Sequence, residues 1–153
     1  MSGKGSQRRP LSISREEWDD NWKQIFEPQD DMLTLMNRAR ELHKKTPYRY
    51  NEKLDNAARK HTEWQVKHKT CSHFEGFDGF GASPEVRVAA VGYKGMCSEN
   101  VAWSGSDSVT DKNIFDMWKF SAGHMANILG DYVDLGYCLI DGYATAVFGR
   151  EEI

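Results

Sequence analysis

Proline, cysteine and long apolar runs are all scarce in this chain. Four prolines in 153 residues leave room for uninterrupted helices. The three cysteines, Cys71, Cys97 and Cys138, allow at most one internal bridge, with three possible pairings and a thiol left over. Their spacings of 26 and 41 residues match neither a zinc ribbon nor a CxxC redox site, so small buried or singly bridged residues are expected. No segment approaches the roughly 18 consecutive apolar residues of a membrane span. The opening MSGKGSQRRPLSISREEW has basic residues with no apolar stretch behind them and does not read as an export signal. A charge excess is also lacking: 20 basic against 23 acidic residues give a net charge of -3, well mixed along the chain. That excludes the broad basic surface needed to hold a nucleic-acid backbone. GxGxxG, P-loop, GxSxG and HExxH motifs are missing as well, so any site must be assembled from residues far apart in sequence.

What is there suits one domain, preceded by an extension over residues 1–28. Within the extension, Ser14-Arg15-Glu16-Glu17 has the form of a capping box, followed by Trp18, Trp22, Ile25 and Phe26 at helical spacing. Such a helix is expected to dock on its own domain rather than on a partner or membrane, because a short isolated helix needs packing. From residue 29 onward, Met32, Leu35, Met36, Ala39 and Leu42 mark the apolar face of a second helix, closed by Thr46-Pro47. Asn51 is placed to cap a third, with the stripe Leu54, Ala57, Ala58, His61, Trp64 and His68. His61 on that stripe reads as a satisfied core histidine.

Ser83-Pro84 opens a short helix stopped at Gly92. Ser98–Trp103 reads as a short strand entered from a Gly95-Met96-Cys97 turn. Thr110 opens a helix with Ile114, Phe115 and Trp118 inward, and Ser121 caps another carrying His124 in its first turn. The end of the chain holds two β-rich runs joined by Asp141-Gly142, a type I′ hairpin signal. Three antiparallel strands covered by helices, an α+β layered domain, follow from this order. Trp103, Trp118 and Phe115 are assigned to the core, with an apolar ligand groove as the alternative.

Three ionisable residues interrupt otherwise structural segments: His73, Glu99 and His124. At a helix start the partial positive charge of the free amides favours the neutral ring of His124. Asn100 and Asn127 read as backbone caps or turn-makers, and Ser121 as a cap whose oxygen is already used.

Taken together, Cys71-Ser72-His73-Phe74, Ser98-Glu99-Asn100-Val101-Ala102 and the run from Trp118 through Ser121-Ala122-Gly123-His124 to Leu129 resemble the SCP domain of the CAP superfamily, the cysteine-rich secretory, antigen 5 and pathogenesis-related proteins. Leu35–Arg40 and Asn51–Ala58 resemble that family's opening helices. The resemblance spans roughly residues 30 to 150 and implies an α-β-α sandwich, an SCP domain over residues 29–153. It also implies a cleft lined by two histidines and acidic residues, here His73, His124 and Glu99, where relatives hold a divalent metal, often zinc. Ser121 stands where longer relatives carry a second acid, and Ser98 replaces the usual glycine before Glu99. Most relatives are secreted, which the opening residues do not echo.

Two imidazoles and a carboxylate can hold Zn²⁺ with one position open. Glu99 can serve instead as the carboxylate behind a histidine, fixing its tautomer, and this second role is preferred. The alternative is a hydrogen-bonded cluster with no metal. Three functions remain open: a binding module for a lipid or sterol, peptide or protein partner; a metal-dependent hydrolase in which Glu99, His124 and His73 would be catalytic; and a purely structural domain.

Overall fold

A computed structural model describes residues 29–76 and 81–152. The helix expected around Trp18 and Trp22, and with it the extension over residues 1–28, lies outside the described residues. The first described helix, α1 (Met32–Leu42), begins where the Asp31 carboxylate accepts the Thr34 amide at 2.9 Å. It buries Met32, Leu35, Met36 and Ala39 as the spacing predicts, and also Arg40. The Arg40 guanidinium is satisfied by the carbonyls of Ile128 at 2.8 Å, Gly130 at 2.9 Å and Tyr132 at 2.9 Å. Leu42, expected on the inner face, is exposed, because the helix ends there and the chain leaves through Lys44 at φ 57°.

Next comes a two-residue strand, β1 (Arg49–Tyr50), and then α2 (Glu52–His68), capped by Asn51 accepting the Leu54 amide at 3.1 Å. Helix α3 (Pro84–Ala90) has Ser83 as cap and proline at its start. Strand β2 (Gly95–Trp103) takes in the Gly95–Cys97 segment expected as a turn. Helix α4 (Asp111–Lys119) carries a full capping box between Thr110 and Asn113, and α5 (Ala122–Ile128) follows. The hairpin of β3 (Asp134–Ile140) and β4 (Tyr143–Glu151) turns at Asp141 and Gly142, both with positive φ.

The sheet order is β1-β3-β4-β2, antiparallel except for the parallel β1–β3 pair. The expected three antiparallel strands are present. The fourth, β1, is too short to show any alternation, and it pairs because α2 follows at once and packs over β3.

Alternation along β4 builds two cores on opposite faces of the sheet. Ala144, Ala146 and Phe148 join α1, α4 and α5 through Met36, Phe115, Trp118 and Ile128. Val147 faces the other way, toward Leu54, Ala57 and Ala58 of α2 and Val88 of α3. Helices thus cover both faces, an α-β-α sandwich. Gly136 is what lets α2 lie so close: a Cβ there would stand 2.1 Å from the Leu54 carbonyl carbon. Phe115 and Trp118 are buried as expected, whereas Trp103 is half exposed beside Tyr143, at the open end of β2 where no helix covers it.

Candidate functional site

Glu99 sits on β2 with its side chain almost wholly buried, and it is the centre of a polar cluster. Helix α3 delivers Arg87, whose Nη2 donates to both carboxylate oxygens of Glu99, at 3.0 and 2.8 Å. The same nitrogen donates to the His73 carbonyl at 2.9 Å, and Nη1 donates to the Gly81 carbonyl at 3.1 Å. One guanidinium therefore fixes both ends of the loop between α2 and α3. His73 lies against Glu99 with Nδ1 2.9 Å from Oε1. The carboxylate accepts, so Nδ1 carries a proton, and Nε2 is the ring nitrogen that Glu99 does not engage. The His73 side chain is 41% exposed, which makes it the solvent-facing member of the cluster.

Behind Glu99 lies a second buried pair that sequence reasoning did not place in the site. His61 has Nδ1 2.6 Å from Glu75 Oε2 and Nε2 2.6 Å from the Ser72 carbonyl. A carbonyl only accepts, so Nε2 carries a proton, and the Nδ1–Glu75 contact holds another between ring and carboxyl. The pair is neutral as a unit, and so is the Arg87–Glu99 pair next to it. Four ionisable groups are thereby buried with their charges balanced, the condition under which burial is tolerable. His61 is the satisfied core histidine expected of that stripe. The other Glu75 oxygen accepts the Gly81 amide at 3.1 Å, closing the loop.

Arg87 and Glu75 were missed because neither interrupts a recognisable pattern. Glu75 stands two residues from His73 in a Phe/Gly loop, and Arg87 lies between Val86 and Val88. The available signal was a charged residue inside an otherwise apolar segment.

His124 is brought to the same region by hydrogen bonds that α5 makes to β2. Its carbonyl accepts Asn100 Nδ2 at 3.1 Å, and Asn127 Nδ2 donates to Asn100 Oδ1 at 2.9 Å. The two asparagines thus tie helix to strand and are not the caps or turn-makers expected of them. The His124 ring stands near Trp118, with centroids 6.2 Å apart, and its buried Nδ1 has no hydrogen-bond partner among the described residues. Burial first, and the nearby His73 second, push its pKa below the ordinary histidine value. The neutral ring expected from the helix start is present, but desolvation is the main cause.

Ser121 occupies the cap position of α5 without a side-chain cap bond, so its hydroxyl is not committed to a backbone amide as expected. Its carbonyl starts the helix instead, accepting the Met125 amide. Cys71, Cys97 and Cys138 are all free thiols, so the single bridge that the sequence permits is not made.

The donors available to a metal are therefore the two imidazoles. Glu99 is held by Arg87 and His73, and among the described residues no group of three His, Cys, Asp or Glu side chains is arranged to hold an ion. A two-imidazole set suits a borderline ion such as zinc when ligand or solvent oxygens complete the coordination.

The sequence matches the model of the cysteine-rich secretory protein family, CAP, over residues 33–146. This chain belongs to the CAP family. No curated protein matches it. Solved CAP-like structures share its fold. An extracellular protein containing an SCP domain from Bacillus anthracis str. Ames superposes with a TM-score of 0.69 at 19% identity, over 91% of this chain and 44% of that one. An outer surface protein of Borrelia burgdorferi gives 0.63 at 14% identity, over 92% and 96%. A cysteine-rich secretory protein from Staphylococcus aureus subsp. aureus Mu50 gives 0.59 at 14% identity, over 94% and 41%. This CAP chain spans less than half the length of the Bacillus and Staphylococcus proteins, and at these identities the likeness is one of fold.

Proposed function

We propose that this CAP domain is a binding module and not a hydrolase, and that its cleft offers two imidazoles, those of His73 and His124, to a ligand or a divalent metal. The observation that carries this reading is the state of Glu99. Both of its oxygens accept from Arg87 and one also accepts from His73. A general base needs an oxygen free to face the substrate water, whereas both oxygens of Glu99 are engaged by Arg87 and His73 on the inner side of the cluster. Glu99 acts instead as the carboxylate behind His73, holding the ring by Nδ1 and leaving Nε2 unengaged by it. Zinc, when bound by His73 and His124, would supply an open coordination position for a ligand oxygen.

The side chains flanking the two histidines support an apolar component in the ligand. Phe74 follows His73 and is 64% exposed, and Phe120, four residues before His124, is 54% exposed. A lipid or a peptide with an apolar side chain fits this combination of imidazoles and exposed rings better than a small polar metabolite.

Calorimetric titration of Zn²⁺ into wild type, His73→Ala and His124→Ala tests the site. Wild type is expected to bind with single-site heat and each variant to lose at least about tenfold in affinity, as loss of a ligand or its support does. Equal heats in all three proteins would end this reading. Ester or peptide turnover that disappears in Glu99→Gln would restore the hydrolase.

A further inference from the structure

The last rung of the β2–β4 ladder pairs Trp103 with Tyr143, at the end of the sheet beyond Glu99. Their ring centroids stand 5.9 Å apart with the planes tilted by 36°, and Trp103 is half exposed. A cross-strand aromatic pair steadies a sheet end whether or not anything binds there. This pair, however, adjoins a cavity of about 630 Å³ between the loop over residues 106–110 and the hairpin turn at Asp141-Gly142. That volume falls within the about 300–1,000 Å³ common for small-molecule sites. Both walls are held in place. The Ser104 amide donates to the Gly142 carbonyl at 2.9 Å, and the capping box of Thr110 and Asn113 anchors the far end of the loop. A Cβ on Gly105 would stand 3.2 Å from Cζ2 and Cη2 of Trp103, so the indole rests on the loop one residue before Ser106 of the cavity.

We propose that this end of the sheet binds a neutral oligosaccharide, with one sugar ring stacked on Trp103 and the next placing its hydroxyls in the cavity. Two observations point to that chemistry. The first is the pairing of apolar and polar groups. A sugar ring carries C–H groups on its faces and hydroxyls around its rim, so it matches an exposed aromatic ring set beside polar side chains. The cavity supplies those partners: the hydroxyls of Ser106, Ser108 and Thr110 and the carboxylates of Asp107 and Asp141 line it. A hydroxyl that donates to a carboxylate makes a strong, charge-assisted bond. The second is the sign of the charge. The cavity is lined by two carboxylates and by no Lys, Arg or His among the described residues, so it repels phosphates, acidic headgroups and nucleic acid. Two carboxylates without a third donor do not make a cation site, and among the described residues no such group of three is found. A simple alkyl chain would leave the carboxylates and hydroxyls unmatched. An uncharged, hydroxyl-rich ring satisfies all of these walls at once.

Titration of the ¹⁵N-labelled full chain with cellotriose, maltotriose and triacetylchitotriose, followed by ¹H–¹⁵N spectra, tests the assignment. At least one probe is expected to shift the Trp103 indole N–H and the amides of residues 105–110 and 141–143 to saturation, leaving those around His73 and His124 in place. Trp103→Leu keeps apolar bulk but removes the flat ring. Asp107→Ala removes one carboxylate from an exposed loop and touches no core residue. Each variant is expected to bind that probe at least about tenfold more weakly, with the amides of β3 and β4 at their wild-type positions. No saturable shift with any of the three probes would overturn the proposal. Wild-type affinity in either variant, or shifts centred on His73 and His124, would overturn it equally.

Discussion

Arg87 is the residue on which the site's geometry depends most. Its guanidinium donates to both oxygens of the buried Glu99 carboxylate and to the His73 and Gly81 carbonyls of the loop between α2 and α3. Removing one partner of a buried pair leaves an uncompensated charge, so Arg87→Leu is expected to cost about 3–5 kcal/mol in a urea unfolding experiment. His124 gives a pH dependence of known sign. Its folded pKa lies below that of the unfolded chain, so its contribution to stability is complete above the ordinary value of 6.5 and is lost as pH falls below it. The drop in urea midpoint from pH 8 to pH 5 is expected to be smaller in His124→Gln than in wild type. An equal drop would show that burial does not hold the ring neutral.

At the scale of elements, the helices and the terminal hairpin were legible from local chemistry. Asn51, Ser83 and Thr110 cap where their side chains suggest, and Asp141-Gly142 turns as its tolerance of positive φ requires. Less legible were features settled by tertiary packing. Strand β1 has too few residues to show a period, and the Gly95–Cys97 segment is strand because β4 runs on to Glu151 beside it. His73, Glu99 and His124 could be singled out as residues, and the resemblance grouped them, but only the fold reveals that Arg87 and Glu75 from other segments complete the cluster. The closest contact between elements is also a place to break the fold. A methyl group at Gly136 would meet the α2 backbone at Leu54, which cannot move as a flexible side chain can. Gly136→Ala is therefore expected to cost at least about 2–3 kcal/mol, the upper range for overpacking, measured by thermal or urea unfolding.

For the whole molecule, stability rests on the two cores that flank the sheet and owes nothing to disulfides, since the three cysteines are free. Reducing agent is expected to leave Tm unchanged. Cys71 is exposed and should react first with a thiol reagent, while Cys97, its thiol pushed up to about 11 chiefly by burial, should react only as the protein unfolds. This also separates fold from family label: a member of the cysteine-rich secretory family here holds its α-β-α sandwich by packing and by a balanced polar cluster.

The cleft presents the His73 and His124 imidazoles above a buried cluster whose charges are already matched. Long-range ¹H–¹⁵N spectra of the histidine side chains at pH 7 test it most directly. The expected result is a proton on Nδ1 of His73, a neutral ring for His124, and a proton on Nε2 of His61 with its Nδ1 sharing a second proton with Glu75. A His73 with a bare Nδ1, or a His61 with a bare Nε2, would contradict it.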